Sequence, residues 1–219
     1  MKGTQMNNGD PRIENVYKIL AGEFKKNRTP VVDLIEVQTS DPFKVLIATI
    51  LSARTKDEVT AAASRRLFER VNDHRELGKL TEEEIRDLIF PVGFYKTKAR
   101  HLKLLPAVLD DEFGGKIPQD VDRLTALPGV GRKTANLVVA VAFKKPAVCV
   151  DVHVHRIFNR LGYISTKTPF DTEIELRRIF PQKFWTTFNS YFVSFGQHTC
   201  SPVKPKCDRC PIAEYCSTR

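Results

Sequence analysis

Leu127-Pro128-Gly129-Val130-Gly131-Arg132-Lys133-Thr134-Ala135 decides how this chain is read. Pro128 and two glycines interrupt otherwise helical sequence, so the stretch is a tight turn between two helices. The glycines let the backbone bend sharply and remove side chains that would block a ligand. The helix that follows begins at about Arg132. Its first amides have no partner within the helix, and its positive dipole end faces the turn. Gly129, Val130, Gly131, Arg132 and Thr134 therefore form a candidate site for an anion such as a DNA phosphate. A plain glycine-rich connection between helices is the alternative.

Lys133 falls in the first turn of that helix, where the dipole disfavours an ammonium. Burial there would disfavour it further. Both effects favour the free amine, a nucleophile. Asp151 follows 18 residues later, in Val150-Asp151-Val152-His153. A helix over 132–143 rises roughly 18 Å. The connection over 144–150 can span up to roughly 25 Å if extended. The chain can thus return and place the carboxylate of Asp151 beside Lys133. Asp151 can also cap the next helix, and the two roles are compatible. A carboxylate there opposes the dipole, because it favours the charged lysine.

Farther out, helix signals dominate. Asp41-Pro42 marks a start, followed by Phe43, Val45, Leu46, Ile47, Ile50 and Leu51, a nearly all-apolar helix. Asp57 is expected to cap a helix bearing Val59, Ala62, Ala63 and Leu67. Thr81 and Glu84 form a capping box. A helix from near Thr97 is expected to carry Lys98, Arg100 and Lys103 opposite Leu102, Leu105 and Val108. Short helical sequence spans 118–126, a helix runs from Asp151 to about Leu161, and two more fill 171–197. Trp185 and its neighbouring phenylalanines read as core. No hairpin of alternating strands appears, and the fold is read as all-α. The first ten residues read as a loose tail.

Four of the five cysteines lie in the last 20 residues as C-x6-C-x2-C-x5-C: Cys200, Cys207, Cys210 and Cys216. Thiols this close, with no secretory signal ahead of them, indicate a metal or cluster site more than disulfides. Zinc and an iron–sulfur cluster both accept four thiolates. Lys204, Lys206 and Arg209 sit between the ligands and could meet phosphates. Cys149 stands apart and reads as a core thiol. The 219 residues carry 35 Lys and Arg against 26 Asp and Glu, a net charge of +9, which favours a polyanionic partner. No apolar run approaches the ~20 residues of a membrane span. A reducing, cytoplasmic setting is expected.

Together these blocks resemble the endonuclease III family of helix-hairpin-helix DNA glycosylases, from about Pro42 to Cys216. The resemblance implies a six-helix barrel lobe with the hairpin over 35–145, and a discontinuous iron–sulfur lobe over 1–34 and 146–219. It implies that Lys133 is the nucleophile, that Asp151 assists, and that the four cysteines hold a 4Fe–4S cluster. It implies a glycosylase/AP lyase acting on oxidised or ring-saturated pyrimidines in duplex DNA, expected to act as a monomer. Arg54, in Ser52-Ala53-Arg54-Thr55-Lys56, stands where the family usually has a glutamine that fills the gap left by the extruded nucleotide. Phe94 matches a position that wedges into the base stack, or else is a core aromatic at a helix end. Mismatch-specific relatives share the scaffold but lack a lysine at the place of Lys133. A non-catalytic DNA-binding protein would need the turn and the cysteines, but not the Lys133–Asp151 pair.

Overall fold

A computed structural model of the chain describes residues 10–25 and 41–218. Eleven α-helices and three short 3-10 turns occur among these residues, with no strand, so the fold is all-α. The helices are α1 Pro11–Phe24, α2 Pro42–Ser52, α3 Asp57–Phe68, α4 His74–Lys79, α5 Glu82–Ile89, α6 Tyr95–Phe113, α7 Val121–Leu124, α8 Arg132–Phe143, α9 Val152–Arg160, α10 Pro169–Ile179 and α11 Phe188–His198. The chain divides into two compact units. One is Pro30–Lys145; the other joins Met1–Thr29 to Pro146–Arg219. The expected boundary near residue 34 and the N-terminal tail over 1–9 lie outside the described residues.

In the contiguous unit, α2 is the central element. Every residue from Phe43 to Leu51 except Lys44 is buried. Asp41 caps it, its side chain accepting from the Phe43 amide at 2.9 Å, with Pro42 at the first helical position. Helix α2 packs on α3 and on α8, where Val45 and Ala48 meet Val141. The capping box of α5 is present: the Thr81 hydroxyl accepts from the Glu84 amide, and the Glu84 carboxylate accepts from the Thr81 amide.

Four local expectations are corrected here. Lys56, not Asp57, is the N-cap of α3, and Asp57 is its first helical residue. The buried face of α3 is Thr60, Ala63, Ser64 and Leu67, while Ala62 is exposed. Helix α7 is only four residues long, because Asp120 caps it by accepting from the Arg123 amide. Helix α6 starts at Tyr95, and its Lys98 and Lys103 do not lie on a solvated face. Lys98 is buried, and Lys103 donates to the carbonyls of Gly78 and Leu80 at the end of α4.

The discontinuous unit has an aromatic core. Phe158 stacks on Phe192 at 4.6 Å between centroids and meets Phe180 edge-on at 5.5 Å. Ile13, Val16 and Leu20 of α1 join this cluster, together with Phe184, Phe188 and Phe195. Tyr17 ties α1 to the far end of the sequence: its ring stacks on Phe184 at 3.9 Å, and its hydroxyl lies 2.5 Å from that of Thr187. Edge-on and offset ring pairs add to the burial of large apolar area. Cys149 is buried, as expected of a core thiol.

Candidate active site and cluster-binding cavity

The turn before α8 separates the roles of its two glycines. Gly129 has φ +78°, a region that side chains with a Cβ rarely adopt. A Cβ there would also lie 2.9 Å from Nδ1 of His101 on α6. Gly131 is the N-cap of α8 with φ −86°, and beyond its chain neighbours nothing lies within 4 Å of where its Cβ would be. Packing therefore requires Gly129 but not Gly131. The open space at Gly131 is what a ligand approaching the first amides of α8 needs. Val130 is buried, so of that residue only the backbone is available to an anion. Arg132 is the first helical residue and forms a 3.4 Å pair with Asp122. Thr134 is half-buried.

Opposite outcomes are expected for alanine at these two positions. Gly129→Ala should cost about 1–2 kcal/mol for the left-handed backbone alone, lowering Tm by several degrees. Gly131→Ala should leave Tm unchanged and raise the Kd for duplex DNA several-fold. Thermal melts and fluorescence anisotropy read the two effects. A Gly131→Ala protein that binds duplex as well as the parent would show that no phosphate approaches the turn.

Lys133 is the second residue of α8, as expected, but its side chain is exposed. The burial expected for it is not found, because it falls on the face of α8 opposite Ala135, which packs inward. Asp151 is the N-cap of α9 and only 7% exposed. Its Oδ1 accepts from the amides of both His153 and Val154 at 2.9 Å. Farther along α9, Arg156 donates to the carbonyl of Cys200 at 2.7 Å, and Arg160 donates to Sγ of Cys200 at 3.2 Å. His153, His155 and His198 have local partners: Arg156, Thr172 and the Ser194 carbonyl.

Cys200, Cys207, Cys210 and Cys216 line one cavity of about 310 Å³, backed by Ile157, Leu161, Phe195 and Ile212. Among the described residues, no three Cys, His, Asp or Glu side chains converge on a single ion. Four thiols around a shared hollow fit an iron–sulfur cluster. Burial pushes the Cys210 thiol above its ordinary range; the Ile212 amide opposes this, and Cys200, Cys216 and Cys207 push it further up. Cationic iron would relieve that crowding of thiolates. Lys204, Lys206 and Arg209 are exposed on the same loop.

Arg54 and Phe94 lie together on the contiguous unit. Both have left-handed backbones, φ 54° and 58°. Such conformations cost non-glycine residues about 1–3 kcal/mol and cluster at functional sites. Phe94 is 61% exposed, so it is not a core aromatic. The Arg54 guanidinium lies over its ring at 5.4 Å from the centroid. Gly93 makes this possible: a Cβ there would sit 2.3 Å from the Arg54 carbonyl oxygen. The Gly93 amide donates to the Thr55 hydroxyl at 3.1 Å.

The sequence reading missed Lys98. It is 7% exposed, and Nζ donates to the carbonyls of Leu51 at 2.8 Å and Ala53 at 2.6 Å and to the Thr55 hydroxyl at 3.3 Å. Burial pushes its pKa down to about 8. The signal was present: Lys98, Leu102, Leu105 and Leu109 follow helical spacing and all are buried.

Residues 47–182 match the HhH-GPD superfamily of base excision DNA repair proteins. Residues 200–216, from the first to the last of the four clustered cysteines, match the iron-sulfur binding domain of endonuclease III. The chain is 46% identical to endonuclease III of Thermotoga maritima, over 93% of this chain and 92% of that protein. It is similar to a trapped endonuclease III–DNA covalent intermediate, an estranged-adenine complex, with a TM-score of 0.84 and 35% identity over 94% and 95% of the two chains. A thermostable thymine-DNA glycosylase has a TM-score of 0.82 and 26% identity over 94% and 96%. The chain belongs to the endonuclease III family of base excision repair enzymes, DNA glycosylases with AP lyase activity that carry a 4Fe–4S cluster.

Proposed function

We propose that Lys133 is the nucleophile of this glycosylase/lyase, that Asp151 assists it, and that oxidised or ring-saturated pyrimidines in duplex DNA are its substrates. The observation that carries the reading is the placement of Lys133 two residues after the open Gly131, so that one turn offers both an anion site and an amine. The likeness to a trapped covalent intermediate supports the same chemistry.

Duplex DNA is held by its phosphates, at the turn formed by Gly129, Val130, Gly131, Arg132 and Thr134 and at Lys204, Lys206 and Arg209. The damaged nucleotide turns out of the stack, at a cost reduced by poor pairing. Arg54 fills the gap and faces the orphaned base, with Phe94 wedged beside it. The amine of Lys133 attacks C1′, and the C1′–N bond to the base breaks as the base takes up a proton. Asp151 stabilises the positive charge that develops on the sugar and accepts the proton from the attacking nitrogen. The ring opens to an imine. Loss of a proton from C2′ then expels the 3′ phosphate by β-elimination. Cys200, Cys207, Cys210 and Cys216 hold the 4Fe–4S cluster, which cross-links the loop bearing the three cations. The six-helix barrel over 35–145 and the cluster lobe over 1–34 and 146–219 act as one monomer, in a reducing cytoplasm that keeps the four thiols available.

Borohydride added during incubation with duplex containing a base-free site tests this reading. A covalent protein–DNA species is expected, and its peptide map should place the sugar on Lys133. An adduct mapped to another residue overturns the assignment. Strand cleavage with no adduct would point to chemistry without an amine nucleophile.

A further inference from the structure

We propose that Lys98 is the positioning residue that holds Arg54 and Phe94 in register with the gap left by the extruded nucleotide, and so sets how the enzyme discriminates the opposite base. The inference rests on the reading of Arg54 and Phe94 as DNA contacts.

Two limbs must be held for that pair to work, the segment after α2 and the turn before α6. Lys98 bonds to both. Its Nζ donates to Leu51, Ala53 and Thr55, which bracket Arg54. Its own backbone amide donates to the Phe94 carbonyl at 3.0 Å. Thr55 closes the loop by accepting from the amide of Gly93. An ammonium has three donors, and here each has an acceptor. Leu51 and Ala53 lie at the C-terminal end of α2, where unpaired carbonyls and the negative dipole end favour a cation.

A buried lysine spent on two neighbouring left-handed residues is poorly explained by stability alone. Burial of its charge works against folding, and both residues it secures are solvent-exposed. Misplacing a contact group by about 1 Å can cost up to ~100-fold in rate. Arg54 needs such placement, because its hydrogen bonds to a base edge are directional.

A double-mutant cycle tests the proposal. Holoenzyme carrying Lys98→Met, Arg54→Ala or both is assayed under single-turnover conditions, on duplexes pairing one oxidised pyrimidine with guanine or with adenine. Lys98→Met is expected to slow the reaction roughly tenfold. It should also narrow the guanine-to-adenine rate ratio to that of Arg54→Ala. The double variant should show the same guanine-to-adenine ratio as Arg54→Ala alone, because Lys98 sets that ratio through Arg54. A double variant whose ratio shifts beyond that of Arg54→Ala, or an unchanged ratio in Lys98→Met, overturns the inference while leaving Arg54 as a DNA contact. An Arg54→Ala enzyme with parental rates and ratio overturns the reading of Arg54 and the inference with it. Should Lys98→Met fail to fold, Thr55→Val removes one shared acceptor and carries the test. It should narrow the ratio in the same direction, and a parental ratio overturns the proposal.

Discussion

Lys133→Gln is expected to abolish the borohydride-trapped adduct and to slow strand cleavage by at least roughly 10⁴-fold, about 5.5 kcal/mol of transition-state stabilisation. An amide nitrogen is not nucleophilic, so no imine can form and β-elimination loses its electron sink. The fold should be unaffected. Lys133 is exposed in the first turn of α8, where the dipole disfavours a cation, so a neutral residue of similar length should leave Tm unchanged or slightly higher. Binding of base-free duplex should persist, because the amides behind Gly131 remain. The measurements are gel-resolved trapping, single-turnover cleavage and a thermal melt. A Lys133→Gln protein that still forms the adduct would move the nucleophile elsewhere.

Asp151→Asn should be the next most damaging change, with a loss of roughly 10²–10⁴-fold in the chemical step. Its value is that it separates two jobs. As a cap, Asp151 takes both the His153 and Val154 amides on Oδ1. Asparagine offers a carbonyl oxygen at the same place and caps about as well as aspartate. Only the charge is lost, which costs the helix about 0.3–1 kcal/mol. Asp151→Ala removes the cap as well and should cost a further ~1 kcal/mol of stability. Two melts and two rates therefore distinguish the roles. If Asp151→Asn reacts at the parental rate, the residue is a cap alone.

Much of this architecture was legible in the sequence, for identifiable reasons. Helix α2 announces itself through an Asp-Pro start and an unbroken apolar run. Helix α8 is fixed by the glycines before it, and Asp151 by its place ahead of an amphipathic helix. Helix α4 escaped notice because its six residues include Gly78 and bury only Leu77. Lys98 was misplaced because its charge was weighed above its spacing. A lysine can be buried where helix-end carbonyls satisfy all its donors, and those carbonyls belong to residues 45 and 47 positions away in sequence. Nothing local reveals them. The stacking of Arg54 on Phe94 was hidden for the same reason: each was identified singly, and only the tertiary turn at Gly93 joins them.

The interrupted unit also bears on how the chain matures on the ribosome. Residues 30–145 are continuous and can collapse as they emerge. Helix α1 emerges before them, yet Thr187, the partner of Tyr17, comes 170 residues later. At about 5–20 residues per second, its apolar face waits roughly 10–30 s for cover. The thiols of residues 200–216 are translated after all eleven of the described helices. Metal loading therefore waits until every one of these helices has been made, and it falls on the unit whose two segments are synthesised farthest apart.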